Sequence, residues 1–145
     1  MAEKVKRYLL ENDPVETFEF IGICTAQSDF RLAWQLNTRF NIFLEKSNEL
    51  IEVPIKKTKE FDRYNFYSYH DRQNLISYFL IRNKQEGHIL LSEKPSIDYF
   101  LIMQENYILE PQDIIDELRK MDSIIAAFAF SSDEFHLSEY LIFEK

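Results

Sequence analysis

Two apolar segments separated by an amphipathic one constrain this chain most, because each of them needs cover on both faces. Residues 97–103 form an almost wholly apolar run, and residues 124–130 are apolar at both alternating positions. Strands that are buried on both faces have this composition. We therefore predict two strands here, the second of them in the interior of a sheet.

The segment that joins these two strands has the pattern of a helix. Pro111 stands where the first turn of a helix accepts proline, and Asp113 in the same turn complements the helix dipole. The apolar residues of one helix face are Ile114, Ile115, Leu118 and Met121. Strand, helix and strand at this spacing predict a C-terminal βαβ unit, normally with a right-handed crossover between parallel strands.

Residues 14–24 allow two interpretations. Asp13, Pro14 and Glu16 suit the start of a helix, whereas the apolar residues from Phe18 to Ile23 are typical of a buried strand. We prefer a strand over residues 17–24.

A second helix is predicted over residues 29–40, with Ser28 as its cap and Asp29 in its first turn. Two apolar stripes lie side by side on this helix. The first contains Phe30, Ala33, Trp34 and Asn37, and the second contains Leu32, Leu36 and Phe40. So wide an apolar face predicts a helix that packs deeply against a sheet, or one that also contacts a partner.

Shorter apolar and aromatic segments supply the remaining strands. We predict an edge strand in residues 4–10, strands over residues 50–53, 63–70, 75–81 and 88–91, a turn at residues 83–87 with Gly87 at positive φ, and a last apolar patch at residues 140–143. The whole chain, residues 1–145, is then a single α+β domain. We expect a mixed, mostly antiparallel sheet with two main helices packed on one face.

The formal net charge of −8 disfavours some classes of partner. A field of this sign repels phosphate backbones and anionic membrane surfaces, and the nearest basic cluster, Lys56, Lys57 and Lys59, is diluted by neighbouring acidic residues. We therefore expect binding neither to nucleic acid nor to membranes. No run approaches the ~18 apolar residues of a membrane span. Cys24 is the only cysteine, so no intrachain disulfide is possible, and the cytoplasm is the expected location.

Residues 91–99, with the sequence Leu-Ser-Glu-Lys-Pro-Ser-Ile-Asp-Tyr, resemble the signature of the bacterial IPExxxVDY family of small uncharacterised proteins. Glu93, Asp98 and Tyr99 match the named letters, apolar residues replace Ile and Val, and Ser92 stands where the family has Pro. Residues 20–24 and 29–37 are similar to the N-terminal half of that family. The resemblance covers essentially the whole chain and implies a single-domain intracellular bacterial protein of unknown function, without catalytic residues to transfer.

Glu93, Asp98 and Tyr99 are also the candidate site residues. Two neighbouring carboxylates can divide acid and base roles when their environments separate their pKa values. In the structural alternative, Glu93 accepts backbone donors in a loop, and Asp98 fixes that loop or pairs with Arg31 or Arg63. Tyr99 is then a packing residue with a hydrogen bond at its tip. We favour the structural alternative, because buried carboxylates are usually paired.

No motif indicates a cofactor or a metal ion. His70, His88 and His136 are widely separated and form no HExxH pattern. Glycines occur only at positions 22 and 87, so a phosphate-binding loop is hard to build. We therefore expect neither a metal nor a cofactor.

Aromatic residues are concentrated in neighbouring predicted strands. They are Tyr64, Phe66, Tyr67, Tyr69, Tyr78 and Phe79. They predict a packed core first and, second, a surface for a homodimer or protein partner, since two helices cannot cover every apolar strand face. The predicted function is a non-enzymatic interaction or regulatory module that can self-associate. The alternative is a small-ligand-binding protein or an unrecognised hydrolase that uses Glu93, Asp98 and Tyr99.

Overall fold

The computed structural model describes residues 18–55, 57–85, 87–91, 94–104 and 110–130. The predicted strand of residues 4–10 and the predicted apolar patch of residues 140–143 lie outside these ranges. The description of the fold below refers to the described residues.

These residues form two helices and ten strands. The helices are α1 (Asp29–Phe40) and α2 (Pro111–Arg119). The strands are β1 (Phe18–Thr25), β2 (Glu45–Lys46), β3 (Ile51–Pro54), β4 (Phe61–Tyr64), β5 (Phe66–Asp71), β6 (Ile76–Arg82), β7 (Lys84–Gln85), β8 (His88–Ile89), β9 (Tyr99–Gln104) and β10 (Ile124–Phe130). The α+β class is confirmed. The helix alternative for residues 18–24 is wrong, because β1 occupies them.

Six strands form the main sheet, in the order β10-β1-β9-β6-β5-β2. Each neighbouring pair in this sheet is antiparallel. Since β9 and β10 both run antiparallel to β1, they are parallel to each other with β1 between them. In the predicted βαβ unit of β9, α2 and β10, strand β1 therefore lies between the two parallel strands.

Among the described strands, β10 is the last in the order and pairs with β1, so its predicted interior position stays a prediction. The packing of its two faces accounts for its two apolar alternations. Ile124 and Ala127 belong to the core on the helix side of the sheet, while Phe128 and Phe130 pack against the core on the opposite side. Cover on both faces, rather than a strand on both sides, explains the composition.

Both helices pack on one face of the sheet, as predicted. Leu32 and Leu36 of α1 and Leu118 of α2 share a core with apolar residues of β1, β6 and β9. The other face has its own core, in which Ile51 of β3, Tyr64 of β4 and the segment of Leu90 and Leu91 cover the sheet. The sheet is thus a middle layer between two helices and a small hairpin with its adjoining loop.

Helix α1 has the predicted bounds, but its apolar stripes divide differently from the prediction. Leu32, Ala33 and Leu36 are buried, whereas Phe30 and Trp34 are 62% and 67% exposed. Deep packing of the whole apolar face against the sheet is therefore wrong, and the alternative, a helix that also contacts a partner, stays a prediction. Ser28 occupies the cap position, but its side chain makes no capping hydrogen bond.

The predicted single strand of residues 63–70 is wrong, because the chain breaks at Asn65 and changes layer. Strand β4 pairs with β3 in the small hairpin, and β5 pairs with β6 in the main sheet. The side-chain amide of Gln85 bridges the break: it accepts from the Asn65 backbone N–H at 3.0 Å and donates to the Asn65 carbonyl at 3.1 Å. Aromatic residues alternate here because successive residues enter different cores.

The last turn of α2 is fastened to β10 by Arg119. Its Nε and Nη2 atoms both donate to the Ala127 carbonyl, at 3.1 and 2.8 Å. This pair of hydrogen bonds joins α2 to β10, the strand that follows it.

We expect Arg119→Lys to lower the free energy of unfolding by about 1 kcal/mol, because an ammonium group cannot reproduce the two parallel N–H donors of a guanidinium. Urea denaturation followed by circular dichroism measures the change. The control is Arg72→Lys in the exposed turn after β5, which should stay within about 0.5 kcal/mol of the wild type. Equal effects of the two substitutions would contradict the stabilising role of the Arg119 hydrogen bonds.

Candidate functional site

Asp98 lies immediately before β9, and the backbone of neighbouring segments surrounds it. Its Oδ2 accepts the Thr25 N–H at 2.9 Å, and its own N–H donates to the Ile23 carbonyl at 3.0 Å. Its carbonyl accepts the Asn83 N–H at 2.8 Å. The residue therefore joins β1, the end of β6 and the start of β9.

The arginines that were predicted as partners of Asp98 are bound elsewhere. Arg63 pairs with Glu52 at 3.1 Å, and the Arg31 Nε donates to the Gln27 side chain at 3.2 Å. A backbone amide holds the Asp98 carboxylate instead. The local reason is the end of β1, where a bulge between Cys24 and Thr25 interrupts the pairing with β10.

Tyr99, the first residue of β9, is 1% exposed. Its hydroxyl donates to the Gln27 carbonyl at 2.7 Å, and the Arg82 guanidinium lies 5.9 Å from its ring centroid. Burial raises the pKa of Tyr99 to about 12. A phenol with this pKa stays protonated near neutral pH, so Tyr99 is suited to packing and anchoring rather than to proton transfer.

The third candidate, Glu93, lies outside the described residues, so the structure brings together only Asp98 and Tyr99 of the predicted set. They are neighbours in the chain, and their polar atoms bind different backbone groups. Neither residue lines the cavities of about 270 and 320 Å³ that lie elsewhere in the described part of the chain.

Asn83 is the residue of this region that sequence reasoning missed. It was predicted as the first residue of the turn at residues 83–87, and its side chain is 0% exposed. Its Nδ2 donates to the carbonyls of Lys94 at 3.1 Å and Ile97 at 2.8 Å, and its Oδ1 accepts the Leu91 N–H at 2.9 Å. The side-chain amide thus binds the loop before β9 at both of its ends. The only sequence signal was an Asn directly after an apolar strand, which is also the signal of a turn.

Cys24, in β1, adds a further hydrogen bond to this junction of β1, β6 and β9. Its thiol donates to the Ser96 carbonyl at 3.3 Å. Burial, with the charge of Asp98 as the second cause, raises the pKa of the thiol. The thiolate is the reactive form, so this environment lowers the reactivity of Cys24 as a nucleophile.

Metal-binding residues do not cluster in the described part of the chain, where no group of three His, Cys, Asp or Glu side chains is close enough to hold an ion. The Nδ1 atom of His70 lies 2.9 Å from the Ser77 hydroxyl, and that of His88 lies 2.9 Å from the Asp62 carboxylate. His136 lies outside the described residues. The two described histidines therefore face different partners.

The aromatic residues that suggested a partner surface lie mainly in the cores. Tyr64, Phe66 and Phe79 are buried on the hairpin side, and Tyr78 is buried on the helix side. They confirm the core interpretation for these strands. A different aromatic pair is exposed, namely Phe30 and Trp34 on the outer side of α1.

A shallow groove of about 320 Å³ adjoins this pair. Trp34, Thr38 and Arg39 of α1 form one wall, and Met121 and Asp122, after the end of α2, form the other. An exposed aromatic pair beside a groove with charges of both signs has the composition of a protein-interaction surface.

Comparison with known proteins adds no identity. No family model matches the chain, and no curated protein matches its sequence. The resemblance of residues 91–99 to the IPExxxVDY signature therefore stays a prediction. No helix among the described residues is long and apolar enough to cross a membrane.

We expect Asn83→Ala to lower the free energy of unfolding by about 2–4 kcal/mol, because two buried carbonyls and one N–H lose their partner. Asn83→Asp should be at least as harmful, since a carboxylate cannot donate to the carbonyls of Lys94 and Ile97. Urea denaturation measures both effects. Asn48→Ala at an exposed position is the control, and losses no larger than its own would refute the anchoring role.

The buried tyrosines predict a loss of stability at high pH. Burial raises the pKa of Tyr64, Tyr78 and Tyr99 to about 12, from a usual value of 10.0. Between these two pH values the unfolded chain binds fewer protons than the folded one, so stability is complete below the lower value and falls as pH rises above it. We expect Tyr99→Phe to make this decline shallower.

Urea midpoints measured from about pH 9 to about pH 11.5 test the high-pH prediction. Because Tyr99→Phe also loses the hydrogen bond to Gln27, a uniform loss of about 1 kcal/mol is expected at all pH values. The slope is therefore the informative quantity. An unchanged slope in the variant would contradict the prediction.

Proposed function

We propose that this protein is a non-enzymatic interaction module that self-associates through the outer face of α1. The observation that carries the proposal is the exposure of Phe30 and Trp34, one helical turn apart on a helix whose opposite face is buried. Large aromatic side chains are enriched at protein interfaces and in their energetic hot spots. We further propose that the protein acts in the bacterial cytoplasm, as the resemblance of residues 91–99 implies.

The hydrogen bonds of the signature residues support a non-enzymatic role. The Asp98 carboxylate accepts a backbone N–H, and the Tyr99 hydroxyl donates to a backbone carbonyl. Groups that already serve the fold are poor candidates for acid and base chemistry. This favours an interaction module over a hydrolase built on the same residues.

A second copy of the chain is the proposed partner, because the exposed face of α1 can pair with itself. Phe30 and Thr38 are both exposed and lie one turn before and one turn after Trp34. In an antiparallel pair of α1 helices with a two-fold axis near Trp34, Phe30 of each copy faces Thr38 of the other, where the groove beside Trp34 can receive its ring.

The charge of the groove also fits a second copy. The groove contains Arg39 and Asp122, so it carries both signs. The net charge of −8 on the whole chain opposes association in general, but the charged lining of the groove is one residue of each sign.

The contact area of one short helix sets the strength of the association. A pair of 12-residue helices buries less than the roughly 1,200 Å² of a small stable interface. We therefore expect a transient dimer, with a dissociation constant on the order of 10 μM or weaker.

Trp34→Ala is expected to raise the dimer dissociation constant at least about tenfold, because an exposed aromatic side chain in the middle of the contact is removed. Sedimentation equilibrium over a range of protein concentrations measures the constant. Leu75→Ala is the matched control, since Leu75 is also a large exposed apolar residue but lies in the turn before β6. A wild-type protein that stays monomeric at millimolar concentration would overturn the proposal.

A pair of opposite charges placed at residues 30 and 38 tests the antiparallel arrangement separately. Phe30→Lys should weaken association, and Phe30→Lys combined with Thr38→Glu should restore it, because residue 30 of each copy faces residue 38 of the other. Because the Thr38 hydroxyl also donates to the Trp34 carbonyl at 3.0 Å, the fold of the double variant is checked by urea denaturation. Association without rescue would refute the proposed orientation and leave the surface in place.

A further inference from the structure

A second cavity, of about 270 Å³, lies on the helix side of the sheet, away from both the signature residues and the outer face of α1. Four parts of the fold meet there: the end of α1, the turn between β5 and β6, the middle of the sheet, and the first half of α2. Its apolar walls are Phe40, Ile42, Ile76, Leu101 and Ile114.

The size and lining of this cavity suit a small organic molecule. An engineered apolar cavity of about 150 Å³ binds benzene, and ordinary ligand sites begin at about 300 Å³. A volume between these values accommodates one substituted aromatic ring. Ile76 and Leu101 on the sheet and Ile114 on α2 offer apolar contacts to such a ring from opposite sides.

Tyr78 supplies the polar group of the cavity. Its ring stacks on Tyr69 with centroids 5.9 Å apart, which fixes its plane. Burial, followed by the charge of Asp71, raises the pKa of the hydroxyl to about 12, so it remains a neutral donor. No hydrogen bond from this hydroxyl is found within the described residues, which leaves it available to a molecule in the cavity.

Asp71 and Asn74, at the turn end of the cavity, determine the charge that it accepts. The Asp71 carboxylate accepts the backbone N–H groups of Gln73 and Asn74, both at 3.1 Å, and the Asn74 side-chain amide at 2.8 Å. These hydrogen bonds lower the pKa of Asp71 and keep it ionised. A fixed negative charge at this position disfavours anions, while its occupied oxygens offer little to a cation.

We propose that this cavity is a binding site for an uncharged molecule the size of one substituted aromatic ring, with a polar substituent that hydrogen-bonds to Tyr78. The ring packs between the sheet and Ile114. The site is independent of the self-association face, because none of its lining residues belongs to the groove beside Trp34.

Ligand-observed NMR titrations of the full chain with phenol, toluene and benzoate test the proposal. Phenol should bind most tightly, with a dissociation constant on the order of 1 mM, and toluene about fivefold more weakly, since it lacks the hydrogen bond. Benzoate should bind more weakly than toluene because of Asp71. Absence of phenol binding at about ten times that concentration, or tighter binding of benzoate than of phenol, would overturn the proposal.

Two variants locate the binding. Tyr78→Phe should bring the affinity for phenol to that for toluene without changing the latter, and Ile114→Phe should fill the cavity and weaken both. Ile125→Phe, at an exposed position of β10, is the control and should change neither of the two affinities. If Ile114→Phe does not fold, Tyr78→Phe alone decides. An unchanged preference for phenol in Tyr78→Phe would assign the binding to another surface and refute the site.

Discussion

The buried side-chain amide of Asn83 is the interaction on which the centre of this fold depends. It follows β6 directly and binds both ends of the loop that leads into β9. The strands β6 and β9 are neighbours in the sheet, so this amide sets the place at which their pairing begins. An amide suits the position because it offers two donors and an acceptor, all of which the surrounding backbone uses. No charged side chain of similar size has this combination.

The junction at Asn83 also explains how one sheet is buried on both faces. The loop that the amide holds places Leu91 and Ile97 in the core on the hairpin side, while Tyr99 enters the core on the helix side. Each residue from Tyr99 to Met103 then faces one core or the other in alternation. A strand between two cores needs apolar residues throughout, which is the property that makes residues 97–103 conspicuous in the sequence.

Local signals in the sequence predicted the helices well and the arrangement of strands less well. The bounds of α1 and the start of α2 at Pro111 follow from first-turn residues and periodicity. The insertion of β1 between β9 and β10 could not be predicted, because apolar alternation reports burial of faces and not which strands are neighbours. The break at Asn65 was missed for a similar reason, since aromatic residues entering two cores give the same pattern as one strand covered on both sides.

The residues of the candidate site were also predicted only in part. Asp98 and Tyr99 were predicted as structural residues, and each makes a hydrogen bond to the backbone, but Asn83 was not predicted, because its role depends on a loop that follows it in the chain. The exposure of Phe30 and Trp34 was not predicted either. Helical periodicity gives the width of an apolar face, but the width that a sheet covers depends on how the helix lies across it.

The signature-like stretch is therefore better understood as a determinant of fold than as a mark of activity. The Asp98 carboxylate and the Tyr99 hydroxyl bind backbone groups of the same molecule, and Leu91 and Ile97 enter the core on the hairpin side. Other proteins with this stretch would be expected to share the junction, whatever they bind, since function belongs to sites placed on a fold. In this chain the two proposed binding places, the outer face of α1 and the cavity at Tyr78, lie outside this stretch. Differences in activity between such proteins should therefore lie at these two places.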